Sequence, residues 1–213
     1  MNLKETLYHA TSDFFYKKIK ENGLGTDNII DSLKAKSFLT QLVEKLDKDY
    51  SGSLEWQRIQ VSTRFMVRQM SNTVANFQHG QVYFTPSINC AKTYLENRYG
   101  SEIITYSFKC VDILNDMGIS SEELFNGYED LLEVKSNPPS KSYILKVTDV
   151  PLEKLGTENY RESIEEQIVN LKETRDRIIK GEGDEQELKM FNFRLISPID
   201  FDNIQIEEVK NWC

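Results

Sequence analysis

Leu7-Tyr8-His9-Ala10-Thr11-Ser12 and, about seventy residues later, Gly80-Gln81-Val82-Tyr83-Phe84-Thr85-Pro86-Ser87 are the two stretches that decide how this chain is read. Residues 5–10 read as a short strand running into the turn Thr11-Ser12-Asp13, and Gln81–Thr85 as a second strand. An amphipathic helix from Phe14 to the glycine stop at Gly23-Leu24 follows the first. A helix from about Asn89 to Arg98, capped by Ser87, follows the second and carries Ala91 and Tyr94. A histidine at a strand end can grip a ribose hydroxyl, and an aromatic pair on a strand-turn-helix can stack a flat ring.

Together the two motifs resemble the ADP-ribosyltransferase fold of the histidine–tyrosine class, shared by diphtheria toxin and the poly(ADP-ribose) polymerases. The resemblance covers the first hundred residues and the final strands. It implies an α+β fold of split antiparallel β-sheets flanked by helices, as one domain over residues 1–213 with a helical insertion at about 28–75. It also implies NAD as co-substrate. His9 takes the place of the residue that binds a ribose hydroxyl of NAD, and Thr11 the hydroxyl place beside it. Ala10 stands where glycine is usual, at the place that in the family holds the nicotinamide amide through its backbone. Tyr83 and Tyr94, eleven positions apart, would sandwich the nicotinamide, and Ala91 sits where some members carry a serine.

The resemblance further calls for a glutamate at the start of a late strand, to stabilise positive charge on the sugar as nicotinamide leaves. The run Asn192-Phe193-Arg194-Leu195-Ile196-Ser197-Pro198-Ile199 fits that frame with Asn192 at the glutamate position. Glu187, five residues earlier, is then the carboxylate expected to act with His9 and Tyr83. The implied activity is NAD-dependent mono-ADP-ribosyl transfer to an unidentified acceptor. Two readings stand beside it. One is a catalytically inactive domain of the same fold binding a nucleotide or protein partner, which Ala10 and Asn192 favour. The other is an NAD glycohydrolase, with water as acceptor.

Composition excludes several classes. Residues 1–100 carry a net charge of +3 and residues 101–213 a net −11, which disfavours duplex DNA as a partner. No apolar run approaches membrane length, and the first residues lack a signal peptide's basic-then-apolar pattern, so a cytoplasmic protein, or one delivered into a host cell, is expected. Cys90, Cys110 and Cys213 form no CxxC pair. No metal site is expected. His9-Ala10-Thr11 would fit half of a two-histidine phosphoesterase signature, but His79-Gly80-Gln81 does not supply the other half.

The rest of the chain reads as follows. Ile29, Ile30, Leu33, Phe38, Leu39, Leu42, Val43 and Leu46 form one helical stripe, and a second helix spans about Leu54 to Val74. Glu102–Cys110 alternates like a strand, 120–132 reads as a helix, and Lys141–Val147 as a strand. A helix is expected over 158–180, with Tyr160, Ile164, Ile168, Leu171 and Ile178 on one side and Glu173–Arg177 as an i,i+4 pair. Strands are expected at Leu188–Ile196 and Phe201–Glu208. Asp47-Lys48-Asp49-Tyr50-Ser51-Gly52-Ser53-Leu54-Glu55 imitates a calcium loop, but Arg58 occupies the twelfth position, where such a loop needs a bidentate glutamate. It reads as a helix–loop–helix turn.

Overall fold

Every strand ladder among the described residues is antiparallel, and helices are interspersed without regular alternation, so the α+β class holds. The computed structural model describes residues 2–71, 80–158 and 162–211, with the side chains of Met70 and Ser71 outside the description. His79, Tyr160, Cys213 and the end of the helix expected to reach Val74 lie outside the described residues. In chain order, β1 Asn2–Leu3, β2 Leu7–Ser12 and α1 Asp13–Asn22 precede α2 Ile29–Ser32, α3 Ala35–Asp49 and α4 Leu54–Ser71. Next come β3 Tyr83–Phe84, α5 Ile88–Tyr94, α6 Glu102–Asp116, α7 Ser121–Leu124 and α8 Glu129–Ser136. Then follow β4 Lys141–Val147, β5 Val150–Pro151, β6 Leu155–Thr157, α9 Ile164–Ile179, β7 Phe193–Leu195 and β8 Ile204–Asn211.

The chain divides into two compact units. The first holds residues 1–27, 81–96 and 140–213 and contains the strands. One sheet has the order β2-β4-β8 and another β3-β7-β6, and a single isolated bridge, Tyr8 to Thr85, joins the edge strands β2 and β3. Leu7, Phe84, Leu145, Val147, Leu155, Phe193 and Leu195 form the core of this unit together with Leu171 of α9. Strand alternation explains the choice: on β3 and β7 the residues Phe84, Phe193 and Leu195 point to the core, leaving Tyr83 and Arg194 on the other face. α5 covers that other face at β2 and β4, packing Ala91 and Leu95 against Ile144 with Tyr8 and Ala10 beside them.

The second unit, residues 28–80 and 97–139, is helical among its described residues. α3 buries Ala35, Phe38, Leu39, Leu42, Val43 and Leu46, the stripe read from the sequence. Glu102–Cys110, expected as a strand, lies instead within α6. The buried set Ile103, Ile104, Ser107, Phe108, Val111 and Leu114 has the helical period, and Ser101 caps the first turn by accepting from the Ile104 N–H. The isoleucines and aromatics that suggested a strand are there because α6 lies in a core, where packing overrides propensity.

Other expected boundaries shift for equally local reasons. α9 begins only at Ile164, because Ser163 and Glu166 form a reciprocal capping box. The late strand is Phe193–Leu195 rather than 188–196, because Glu185–Met190 winds into a 3₁₀ turn capped by Asp184. Arg177, expected to pair with Glu173, bonds Glu187 at 3.0 Å.

The calcium-like loop is a turn between α3 and α4, clamped by side chains. Asp47 accepts from the Trp56 indole N–H at 3.0 Å and from the Arg64 guanidinium at 2.6 to 3.1 Å. Trp56 is fully buried. The first carboxylate of the imitated loop is thus already neutralised by a cation from the following helix. Burial likewise pushes the Cys110 thiol up to about 12, so it stays protonated and unreactive in the folded chain. Among the described residues no helix is long and apolar enough to cross a membrane.

Replacing Asp47 orphans a buried indole N–H and a guanidinium. Asp47→Ala should lower unfolding free energy by about 2 kcal/mol, within the range for hydrogen bonds to charged groups. Urea denaturation followed by Trp56 fluorescence checks it, and millimolar calcium should leave the wild-type midpoint unmoved.

Candidate functional site

The site begins where two strands stop pairing. Tyr8 and Thr85 exchange backbone hydrogen bonds in both directions, each at 2.9 Å. In an antiparallel ladder, residues two apart point their backbone groups the same way. Ala10 therefore aims its N–H and C=O towards β3, and Tyr83 aims its own towards β2. The ladder does not continue to that pair, because the Tyr8–Thr85 bridge is isolated. Instead the Tyr83 carbonyl meets the imidazole of His9, at 2.9 Å from Nδ1.

A carbonyl oxygen only accepts, so Nδ1 carries the proton and Nε2 keeps its lone pair. Burial holds the His9 pKa below its ordinary value, with the Tyr83 carbonyl acting the other way. The neutral form of His9 is therefore favoured. Its ring also meets Phe84 edge-on, 6.1 Å between centroids. The pairing of β2 and β3 thus opens beyond that bridge, beside the Ala10 amide groups, the His9 imidazole and the Tyr83 carbonyl. Two positions along β2, the Ser12 hydroxyl is fully buried with no hydrogen-bond partner among the described residues.

The face of β3 that bears Tyr83 continues across the sheet. Tyr83 lies opposite Arg194 on β7, and Arg194 lies opposite Gly156 on β6. Ile196 and Arg194 cover Gly156: a Cβ there would sit 3.2 Å from the Ile196 Cγ2 and 3.5 Å from the Arg194 Nη2. One step beyond this row, Asn192 and Glu158 meet: the Asn192 amide donates to the Glu158 carboxylate at 3.1 Å. The Asn192 backbone carbonyl accepts from the Gln167 side chain of α9, 3.1 Å away, a residue only 1% exposed. Burial pushes Glu158 up to about 7, with the Asn192 donation opposing the rise.

The turn after β3 is tied down by charge. Arg175 of α9 donates to the Pro86 carbonyl at 2.8 Å and lies 3.0 Å from the Glu5 carboxylate. Glu185 accepts from Ser87 at 2.6 Å and from Asn89 at 2.8 Å. Ser87 also caps α5 by accepting from the Cys90 N–H, as its sequence position predicts. These contacts fix the exit of β3 and the entry of α5, and so the helix that presents Tyr94.

The residues singled out in the sequence are thus distributed as follows. His9, Ala10 and Tyr83 edge the opening. Thr11 is buried on β2 beside them. Tyr94 ends α5, 46% exposed, on the helix covering the Tyr83 side of the sheet. Ala91 is buried against Ile144 and serves packing. Glu187 is not on a strand: it sits in the 3₁₀ turn, accepting from the Asp184 N–H at 2.9 Å and from Arg177. The carboxylate that shares a sheet face with Tyr83 is Glu158, which the sequence reading passed over. Only its pairing with Asn192 marks it, and that contact spans thirty-four residues. Among the described residues no cluster of His, Cys, Asp and Glu could hold a metal ion.

Glu158 gives a pH signature with a definite sign. The folded chain binds its proton up to about pH 7, while the ordinary value is 4.5, so stability falls as pH rises through that window. Glu158→Gln keeps an acceptor for Asn192 and cannot ionise. Its urea midpoint should exceed that of wild type at pH 8, and the advantage should vanish by pH 5. Comparison with known protein families, curated proteins and solved structures finds no match to this chain.

Proposed function

We propose that the strand-bearing unit binds NAD in the opening between β2 and β3 and acts as a mono-ADP-ribosyltransferase, passing ADP-ribose to an acceptor and releasing nicotinamide. The observation that carries this reading is the freed backbone of Ala10 beside the His9 imidazole and the Tyr83 ring. An amide donor and an amide acceptor on one residue match a carboxamide in both directions. A buried neutral imidazole with a lone pair on Nε2 suits a ribose hydroxyl. Tyr83 and Tyr94, on a strand and on the helix covering its side, suit the two faces of an electron-poor pyridinium ring. The split between the β2-β4-β8 and β3-β7-β6 sheets agrees with the split-sheet architecture that the motifs resemble.

Within this reading Ala10 orients the nicotinamide, His9 orients its ribose, and the tyrosines exclude water from the ring. The alanine at position 10 is no obstacle on a paired strand: Ala10 lies in the β2–β4 register opposite Ile144, and among non-glycine residues positive φ is confined to Lys34 and Asp149 in the described chain. The alternative, an inactive domain that binds the nucleotide without turning it over, is favoured by Asn192 at the position where glutamate is expected. Nicotinamide release separates the two.

Ala10→Pro tests the reading at its centre. The Ala10 N–H points away from β4, so proline removes no bond of that ladder. The variant should melt within a few degrees of wild type yet bind NAD at least tenfold more weakly by isothermal titration calorimetry. Tyr83→Ala should cost about 1–3 kcal/mol of stacking, roughly 5- to 150-fold in Kd. Wild type that does not bind NAD, or equal affinity in all three proteins, would sink the assignment.

A further inference from the structure

The Tyr8–Thr85 bridge is isolated and antiparallel, so the two chains part on both sides of it. On one side lie Ala10 and Tyr83. On the other, the chain before Tyr8 faces the chain after Thr85, and between them lies a cavity of about 470 Å³. Thr6 lines one edge of this fork and Ser87 the other, and the end of α9 and the 3₁₀ turn line the rest. The volume falls in the range of small-molecule sites, roughly 300–1,000 Å³.

Charge decides what the cavity can take. Two cations line it, and each already has a carboxylate: Lys4 lies 2.5 Å from Asp149, and Arg175 lies 3.0 Å from Glu5. An anion entering here would have to displace one of them. Glu185 is different. Its Oε1 accepts from the Ser87 hydroxyl at 2.6 Å and its Oε2 from the Asn89 amide at 2.8 Å. Both donors are neutral, and among the described residues no cation pairs with this carboxylate. Ser87 is itself buried and caps α5, so it holds the carboxylate in place. Each oxygen keeps a second lone pair for a ligand.

The walls beside Glu185 are apolar. Ile178 and Leu188 line the cavity from the edge of the core, and Ile179 lines it while remaining 82% exposed. One carboxylate cannot supply the several oxygens that a metal ion needs. A cation on an aliphatic stem fits both features, since its methylenes bury against the isoleucines while its head keeps its charge. A partly buried carboxylate also attracts such a head more strongly than one in open water.

We propose that this cavity binds an alkylammonium or alkylguanidinium group, its head on Glu185 and its stem along Ile178 and Ile179. The inference is independent of the NAD reading, because the site lies across the bridge from Ala10 and Tyr83.

The test titrates the isotope-labelled 213-residue chain with methyl-, ethyl-, propyl- and butylammonium, following the Ile178 and Ile179 methyl resonances. Butylammonium should shift both saturably and butyrate should shift neither. Affinity should rise with stem length, by up to about fourfold for each methylene buried. Glu185→Gln should weaken butylammonium at least tenfold, whereas Glu173→Gln, an exposed carboxylate on α9 outside the cavity, should leave it unchanged. Ile179→Ser alters an exposed position and should flatten the dependence on stem length. A blocked Gly-Lys-Gly peptide separates two sources of the same chemistry. Binding like butylammonium assigns the cavity to a protein side chain, failure to bind assigns it to a small free cation, and both uphold the site. Butyrate shifting these methyls, wild-type affinity in Glu185→Gln, or no response to any ammonium overturns the proposal. Should Glu185→Gln melt well below wild type, Ile179→Ser decides, and an unchanged dependence on stem length in that variant overturns the proposal.

Discussion

The hydrogen bond from the His9 Nδ1–H to the Tyr83 carbonyl is the contact on which this architecture turns. Without it, Ala10 and Tyr83 are the next in-register pair after Tyr8 and Thr85, and two three-stranded sheets would join into one. With it, the Tyr83 carbonyl is satisfied by a side chain, and the sheets part after a single bridge. Two further consequences follow from that bond alone. It fixes the imidazole tautomer, leaving Nε2 as an acceptor, and it leaves the backbone of Ala10 facing an opening. Backbone groups that leave a ladder must find other partners, and a ligand amide is one that offers both a donor and an acceptor.

Around this opening the protein invests in rigidity. The strand exit at Pro86-Ser87 is held from α9 by Arg175 and from the following 3₁₀ turn by Glu185. The strand entry at Asn192 is held from α9 by Gln167. One helix thus braces two strands that approach the site from opposite directions. The apolar side of those strands, Phe84, Phe193 and Leu195, is fully or nearly fully buried in one core. Residues on the other side can therefore be polar and partly desolvated without the sheet losing its anchorage. Glu158 is the extreme case, a carboxylate whose burial raises its pKa to about 7.

Much of this was legible in the sequence and some was not, for identifiable reasons. The strands at Tyr8 and Tyr83, the cap at Ser87 and the stripe of α3 are local patterns, set by alternation, capping chemistry and helical period. Glu102–Cys110 misleads because β-branched and aromatic residues serve a buried helix as well as a strand, and a nine-residue window holds few periods to separate them. Arg177 turns from Glu173 to Glu187 because tertiary contact outcompetes an exposed i,i+4 pair. The bond from His9 to the Tyr83 carbonyl and the pairing of Glu158 with Asn192 were out of reach for a different reason. Both depend on strand register between segments distant in the chain, and no local pattern encodes it.

On the proposed reading, the backbone of Ala10 receives a nicotinamide amide where β2 and β3 part. The most direct measurement is a titration of isotope-labelled protein with nicotinamide, following the amide resonances of Ala10, Tyr83 and the core residue Phe193. A saturable shift at Ala10 and Tyr83, with Phe193 unmoved, is the predicted result. Saturable shifts confined to residues outside β2, β3 and α5, or no shift at all, would contradict it.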